Sequence, residues 1–372
     1  MKNILIAIRS IFKKGRHNVM KIVSLGVGLA VGLVLIAKVY FEQSYDDFYP
    51  DRDRVYQVWA KYQQNGGELK DYPQTSGGIA PTMQQQIPEI ETVTRYTSFG
   101  DWTFTMTDTK MKYSGRCIIA DSCFFDILPR PMLIGNAKEV LSTPMYVLVS
   151  SRIAKNIGGD VIGKNFTVDS SPGRTMTIGG VFEEVPENSH SRYDVIVSMA
   201  SAGRVLWGSP TNMLGNDRYI SYVKLHKGVN PLALEEQVHT FVNSYFPPEE
   251  QQKTGFNIGF SFHELDGLHK ELPQVKRMTW ILSLLAFALI FTAVMNYILI
   301  VISSIVNRSK EVAVHKCYGA SENNIHGMMF GEALVHIVLS LILALLLILA
   351  FRGTVEELLA TSLDSLLLSN GS

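Results

Sequence analysis

Three long apolar segments constrain this chain more than any other feature of its sequence. They comprise residues 22–41, 278–306 and 327–351, and the second of them carries no formal charge. A helix needs about 20 apolar residues to cross the hydrocarbon core of a bilayer, so each segment is long enough to span a membrane. Because residues 42–277 are mostly polar, the sequence predicts a membrane protein that holds one large folded domain on a single side.

The basic residues beside the apolar segments predict on which side that domain lies. Residues 1–21 contain six Lys and Arg residues and no acidic residue, and the loop after the second segment carries Arg308, Lys310 and Lys316. Lys and Arg next to a span favour the cytoplasm, so we expect the large domain outside it. The first segment exceeds the length of a signal-peptide core and no small-x-small cleavage site follows it, which predicts a membrane anchor and not a cleaved signal.

The overall composition does not indicate a particular function. Lys+Arg and Asp+Glu balance at 34 each, so no charge excess indicates a nucleic-acid partner. Cys317 is expected on the reducing side, whereas Cys117 and Cys123 are expected outside, where disulfides persist. Two alternatives are open for the latter: a disulfide between them, or two small buried residues in a strand-to-helix segment.

Residues 42–277 contain two stretches with the order strand, helix, strand. Between them, residues 110–215 have mostly the pattern of short strands, so the sequence predicts one α+β domain with a β-rich insertion. The predicted elements are, in order, strand 54–62, helix 81–86, strands 91–96 and 102–107, strand 146–150, helix 151–157, strands 166–168, 175–181, 195–198 and 219–226, helix 231–245 with Leu232, Leu234, Val238, Phe241 and Val242 on its apolar face, and strand 256–262.

Motifs that would indicate enzymatic chemistry are incomplete. Gly158–Lys164 fits the start of a phosphate-binding loop, but Asn165 stands where Ser or Thr would hold Mg²⁺, so a turn leading into a strand is predicted. His190 has Asp194 four residues further on, yet a hydrolytic pair also needs a nucleophile within hydrogen-bond reach. The sequence therefore predicts no catalytic, cofactor or metal site, and no enzyme.

Small and ionisable residues mark the apolar segments. Gly26, Gly28 and Gly32 lie in the first one, where small residues let helix backbones approach closely; packing within one chain and dimerisation are both compatible. Glu332 and His336 are one helical turn apart in the third segment. Such groups usually face protein or water, although Glu332 is near enough to the inner end to reach the interface.

The basic loop between the second and third segments is the most informative short motif in the sequence. Residues 307–320 combine charges with apolar residues for packing and with Gly319 as a helix stop. Two interpretations are open: a loop lying on anionic lipid, or a docking element for a cytosolic partner.

At these positions the chain resembles the FtsX-like/MacB-like permeases of ABC transporters. Their hallmark joins an Asn-Tyr pair to a basic segment that ends in Gly-Ala. The matching residues are Asn296 and Tyr297, then Arg308, Lys310, Glu311, Val312, Ala313, Val314, His315, Lys316, Gly319 and Ala320, with His315 where the family has Arg. Further matches lie in residues 43–48, 53–56, 87–90, 124–128, 162–164 and 180–190, so the resemblance covers about residues 1–351.

The resemblance implies both a fold and a mechanism. The fold is an α-helical membrane protein with a large α+β periplasmic domain, in which the β-α-β units are porter-like. In such permeases a separate cytosolic ABC ATPase binds the loop between the second and third spans, and the helices carry its closure to the periplasmic domains of a permease pair. By match, the ATPase-coupling residues are Arg308, Lys310, Glu311, Val312, Val314, His315, Lys316, Gly319 and Ala320.

The implied partners are that ATPase, a second permease chain or half, membrane lipid, a periplasmic adaptor and an outer-membrane channel, all at the bacterial inner membrane. Family permeases have a fourth span, which this sequence lacks, so a truncated product or a half completed by another chain is expected. Alternative functions are an FtsX-type regulator of periplasmic cell-wall hydrolases and a periplasmic sensor. The predicted division is an amphipathic cytoplasmic N-terminus 1–21, spans 22–41, 278–306 and 327–351, periplasmic core 42–277, coupling loop 307–326 and periplasmic tail 352–372.

Overall fold

The computed structural model describes residues 18–169, 171–206, 208–307, 314, 317, 322–359 and 361–364. The chain divides into two compact units. The helical unit comprises Met1–Ser44 and Lys270–Ser372, and the sheet unit comprises Tyr45–His269. The sheet unit falls within the range 42–277 that the sequence predicts for the polar domain.

The described helices and strands are, in chain order, α1 Asn18–Gln43, β1 Val55–Gln64, β2 Lys70–Tyr72, α2 Ile79–Gln86, β3 Ile90–Met106, β4 Lys112–Ala120, α3 Phe124–Ile127, β5 Met132–Ile134, α4 Ala137–Ser142, β6 Tyr146–Ser150, α5 Ser151–Ile157, β7 Asn165–Val168, β8 Ser171–Phe182, β9 Val195–Ser198, α6 Ala202–Val205, β10 Ile220–Leu225, α7 Glu235–Tyr245, α8 Pro248–Thr254, β11 Phe256–Glu264, α9 Gly267–Lys270, α10 Pro273–Asn307, α11 Glu322–Ala350 and α12 Arg352–Leu359. Short 3₁₀ turns occupy Arg52–Arg54, Met199–Ser201 and Pro231–Leu234.

The helical unit is built around α1, which packs against both α10 and α11. Among the described residues, these three helices are long and apolar enough to cross a membrane. Glycines permit the close packing of α1. A Cβ added at Gly28 would overlap Ala293, one at Gly32 would overlap Ile290, and one at Gly26 would lie 2.9 Å from Leu343 Cδ2. The G-x-x-x-G face of α1 is therefore covered within the chain.

The sheet unit is organised by one mixed sheet, which has eleven strands in the described part of the chain. The strand order is β11-β1-β10-β3-β4-β9-β6-β8-β5, with β2 paired to β1, and β7 paired to both β3 and β8. The pairs β4–β9 and β6–β8 are parallel and the others are antiparallel. Helices pack on this sheet, so the unit is the α+β domain that the sequence predicts.

Strand β3 is longer than predicted, because the predicted strands 91–96 and 102–107 merge into one strand of 17 residues that ends at Met106. Its register against β4 shifts between Ser98 and Gly100, and Gly100 has a φ of +73°. A bulge bends a strand without ending it. Before the shift β3 pairs with β10, and after it with β7. The β-rich insertion therefore extends the same sheet.

Helix α7 begins later than predicted. Residues 231–234 form a 3₁₀ turn, with Asn230 accepting a hydrogen bond from the Leu232 backbone N–H. Because a 3₁₀ turn has three residues per turn, the face of the later helix does not extend back to Leu232, which is 81% exposed. Its predicted place on the apolar face is wrong, whereas Val238, Phe241 and Val242 are buried.

Both cysteines of the sheet unit are free thiols. Cys117 is buried in the core, where loss of solvation raises the pKa of its thiol, and the Cys123 thiol donates to the carbonyl of Val93 at 3.0 Å.

Candidate functional site

The chain enters the sheet unit through Asp46, three residues after α1 ends. Asp46 is fully buried and has a φ of +60°, a conformation that Asp tolerates better than most residues. Its backbone N–H donates to the carbonyl of Asn188 at 2.9 Å, and its carboxylate accepts from the Ser189 hydroxyl at 2.8 Å. The segments 43–48 and 180–190, which both carry the family resemblance, therefore meet in space.

His190 continues this network into the sheet. Its Nδ1 lies 2.6 Å from the Asp46 Oδ2. Because an ionised carboxylate only accepts hydrogen bonds, Nδ1 is the donor in this contact. Two hydroxyls lie against Nε2: that of Tyr222, in a short contact, and that of Ser191, at 3.0 Å. The loop after α1 is thus linked through His190 to strand β10.

The hydroxyls around His190 are buried phenols and serines. The Ser191 Oγ lies 2.6 Å from the Tyr96 hydroxyl, and both Tyr96 and Tyr222 are buried. Burial raises the pKa of Tyr96 to about 12 and that of Tyr222 well above its ordinary value, so both phenols stay protonated at neutral pH. Buried polar groups are costly unless they are bonded, and this set satisfies its members mutually.

The order Asp46, His190, Ser191 follows the contact order of a hydrolytic triad, but its setting differs. Ser191 is only 4% exposed, and its hydroxyl also bonds to Tyr96, whereas a nucleophile must reach its substrate. Asp194, the other candidate partner of His190, instead accepts from Arg152 at 2.6 Å. The geometry therefore favours structural linkage over nucleophilic chemistry.

The chain leaves the sheet unit beside the point where it enters. The rings of Tyr45 and His269 stack with centroids 3.4 Å apart and planes 7° apart. His269 lies four residues before α10 begins at Pro273. The segments that continue into α1 and α10 are thus in direct contact within the sheet unit. We call Tyr45, Asp46, His190 and His269 the helix-end cluster.

The Asn-Tyr pair of α10 connects the apolar helices of the helical unit. The Asn296 side-chain amide donates to the Ser24 hydroxyl of α1 at 2.9 Å. The Tyr297 hydroxyl lies 3.4 Å from Nδ1 of His336 on α11. His336 and Glu332 are 1% and 7% exposed, so Glu332 faces protein and not an aqueous interface. Adjacent residues of one motif therefore contact the two other helices.

Most residues predicted to couple to an ATPase lie outside the described residues. They are Arg308, Lys310, Glu311, Val312, His315, Lys316, Gly319 and Ala320. Val314 is described and is 54% exposed. The structure brings Gly26, Gly28 and Gly32 against other helices of the helical unit.

The segment that resembles a phosphate-binding loop has the opposite order of elements. Gly158–Lys164 follows α5 and leads into β7, whereas a phosphate-binding loop follows a strand and opens a helix. The Lys164 ammonium donates back to the carbonyl of Gly158 at 3.3 Å, which closes a turn as predicted. Within the described part of the chain, no group of three His, Cys, Asp or Glu side chains is arranged to hold a metal ion.

Two family models match the chain. A MacB-like periplasmic core domain matches residues 20–241, and an FtsX-like permease C-terminal region matches residues 283–369. The first match alone covers more than half of the chain. The chain belongs to the MacB-like periplasmic core domain family. Together the two matches identify an ABC-type permease of the MacB/FtsX-like kind.

One solved structure agrees with this assignment, and a second shows only a similarity. A domain of a candidate permease from Porphyromonas gingivalis has 32% sequence identity, covers 58% of this chain and 91% of its own, and has a TM-score of 0.53. The extracellular domain of YknZ, a noncanonic ABC-type transporter from Gram-positive bacteria, has 10% identity over 55% of this chain and 98% of its own, with a TM-score of 0.38, too low to carry an argument. No curated protein sequence matches the chain.

Sequence reasoning did not find the helix-end cluster. The sequence places Asp194 four residues from His190, whereas its partner Asp46 is 144 residues away in sequence. The signal that could have found the pair was the resemblance itself, because both residues lie in segments that match the same family.

Proposed function

We propose that this permease is the membrane subunit of an export or mechanotransmission complex, in which a separate cytosolic ATPase drives movement of the sheet unit. The helix-end cluster is the observation that supports this function best. Its contacts tie the segment that leaves α1 to the segment that enters α10. A displacement of either helix end would therefore act on these contacts. Tyr45 stacks on His269, and the next residue, Asp46, contacts His190, which in turn contacts Tyr222 of strand β10.

The packing of the helical unit supports the same mechanism. Close glycine contacts and the bonds of Asn296 and Tyr297 join α1, α10 and α11. Packed interfaces repack between discrete arrangements and do not deform continuously, so joined helices pass on a movement applied at one end. Allosteric coupling of this kind typically amounts to about 1–3 kcal/mol, which one closing ATPase is expected to supply.

The ATPase is expected to bind residues 308–320, the basic segment between α10 and α11. This placement assigns residues 307–326 to the cytoplasmic side and the sheet unit to the opposite side of the bacterial inner membrane. A second permease chain would be a partner within the membrane, and a periplasmic adaptor and outer-membrane channel would be further partners of an exporting complex.

A co-purification experiment tests the docking step. The full chain is expressed with each candidate ABC ATPase of the same organism in turn, and Glu311 and Lys316 are replaced singly by Ala. We expect both variants to lose most of the recovered ATPase. The matched controls are Glu249→Ala and Lys253→Ala, exposed charges on α8 of the sheet unit. Unchanged ATPase recovery with Glu311→Ala and Lys316→Ala would refute docking at this segment.

A second experiment tests transmission separately from docking. The complex is reconstituted in nanodiscs, and hydrogen exchange of the sheet unit is compared with and without ATP. His269→Ala is expected to retain the ATPase and to lose the ATP-dependent change in exchange. His239→Ala, at an exposed histidine of α7, should retain both. An ATP-dependent change that persists at full size in His269→Ala would exclude the helix-end cluster from transmission.

A further inference from the structure

The sheet unit contains a cleft that the function proposed above does not use. It has a volume of about 830 Å³, within the range of small-molecule sites. Residues of β1, β2, β11 and the loop before β10 form its walls. Those that matter for its chemistry are Tyr62, Tyr72, Phe256, Leu214 and Asp217.

Aromatic rings form one wall of the cleft. The ring of Tyr62 lies between two others, with its centroid 5.6 Å from that of Tyr72 and 5.3 Å from that of Phe256. Tyr72 is 43% exposed, and Leu214 is 47% exposed. Apolar surface that stays open around a concave site is available for the apolar body of a ligand.

Asp217 places a carboxylate beside these rings. It accepts from the Tyr62 hydroxyl at 2.7 Å and, in a short contact, from the Ser76 hydroxyl. Within the described part of the chain, no Lys, Arg or His nitrogen forms an ion pair with it. Burial and the hydrogen bond to Asp217 raise the pKa of Tyr62, and burial and the charge of Asp217 raise that of Tyr245.

The Tyr245 hydroxyl adds a second polar group near this carboxylate. It is buried and has no hydrogen-bond partner in the part of the chain that the structure describes. A buried donor without a partner costs free energy. The cleft thus combines aromatic rings with a carboxylate and a nearby hydroxyl that have, among the described residues, no cationic partner and no hydrogen-bond partner respectively.

We propose that this cleft binds a small organic cation, whose protonated amine bonds to Asp217 and whose apolar body lies against Tyr62, Tyr72 and Phe256. Ring faces attract cations electrostatically, and a charge-assisted hydrogen bond to a carboxylate is among the strongest that proteins make. An anion would be repelled. A neutral apolar compound would remove water from Asp217 without replacing its hydrogen bonds, which is unfavourable. The chemistry of the site therefore selects a cation.

A matched pair of probes tests this. The full chain in nanodiscs is titrated with 2-(1-naphthyl)ethylamine and with 2-(1-naphthyl)ethanol, which have the same ring system but differ in charge. Empty nanodiscs give the background from partition into lipid. We expect saturable binding of the amine, at least about tenfold tighter than that of the alcohol, from the charged hydrogen bond. The measurement needs neither ATP nor an ATPase, so its outcome is independent of the coupling proposed above.

Three variants locate the site. Asp217→Asn should weaken amine binding about tenfold and leave alcohol binding unchanged. Tyr72→Ala should weaken both probes. Leu214→Lys, at a half-exposed position, introduces a competing cation and should also weaken amine binding. Asp101→Asn, an exposed carboxylate that lines a different cleft, is the matched control and should bind both probes like the parent chain.

Each outcome decides the proposal. Equal binding of the two probes, absence of saturable binding above empty nanodiscs, or unchanged amine affinity in Asp217→Asn would overturn it. If Asp217→Asn has a lowered melting temperature that shows loss of folding, Leu214→Lys decides instead: unchanged amine affinity in that variant also overturns the proposal, and weakened affinity with intact folding supports it.

Discussion

Nδ1 of His190 lies 2.6 Å from the Asp46 carboxylate, although 144 residues separate them in the chain. Asp46 is fully buried, and it follows α1 by three residues. This contact fixes the first residues of the sheet unit in its own interior.

Replacing His190 by Ala should destabilise the sheet unit by about 2 kcal/mol, because it removes a hydrogen bond to the buried Asp46 carboxylate. Thermal and denaturant unfolding of the full chain measure the change. His239→Ala is the control, since His239 is exposed on α7, and it should stay within about 0.5 kcal/mol of the parent. Equal effects of the two substitutions would show that His190 does not hold Asp46.

The stack of Tyr45 on His269 should appear as an interaction energy between the two residues. Replacing each by Ala, singly and together, forms a double-mutant cycle, and we expect a coupling of about 1 kcal/mol. Tyr146→Ala and His239→Ala, on β6 and α7, provide a cycle in which the stability losses should add. A coupling near zero for Tyr45 and His269 would mean that the two helix connections are energetically independent.

The composition and periodicity of short segments predicted those helices and strands that depend only on neighbouring residues. The long apolar segments fall in α1, α10 and α11, and the apolar periodicity of α7 is confirmed for Val238, Phe241 and Val242. Leu232 was placed wrongly because a 3₁₀ turn changes the residue period just before that helix. The break predicted near Ser98 and Gly100 is a bulge, which alters a single register step and leaves the strand continuous.

The sites depend on pairings that no local pattern contains. Asp46 meets His190 across 144 residues, and Tyr62 meets Asp217 across 155. Such contacts follow from the strand order, in which β1, β10 and β3 are neighbours although they are distant in sequence. Judged from neighbouring residues alone, His190 pairs with Asp194, which is the wrong partner. Family resemblance marked both segments of the first pair but could not show that they touch.

Replacing Gly28 by Leu should disturb the packing of α1 against α10, because a Cβ at that position would overlap Ala293. Overpacking of this kind costs about 1–3 kcal/mol, measured as a lower melting temperature in detergent. The matched control is Gly331→Leu, the same change on α11 at a position where an added Cβ meets no described atom within 4 Å. If both variants melt like the parent chain, the close approach at Gly28 does not contribute to stability.

The ion-pair network before β1 predicts a pH dependence. The Asp51 carboxylate lies 2.5 Å from the Lys224 ammonium and 3.1 Å from the Arg54 guanidinium. These hydrogen bonds, first that of Lys224 and then that of Arg54, lower the pKa of Asp51 below its ordinary value of 3.8. A carboxyl group whose pKa is lowered by folding stabilises the folded state at pH values above its unfolded pKa, and this contribution is lost as the pH falls through the folded pKa.

Asp51→Asn should therefore lower stability at pH 7 by about 0.5 kcal/mol, a small value because the side chain is 38% exposed and solvent screens the pair. The difference from the parent chain should shrink as the pH falls below 3.8, and it should also shrink in high salt because ions screen exposed charges. Melting temperatures of both chains across this pH range measure it. Asp160→Asn, an exposed carboxylate without an ion pair in the described part of the chain, should show no such pH-dependent gap. A gap for Asp51→Asn that widens on acidification would contradict the assignment, since it would require the network to be stronger when the carboxyl is protonated.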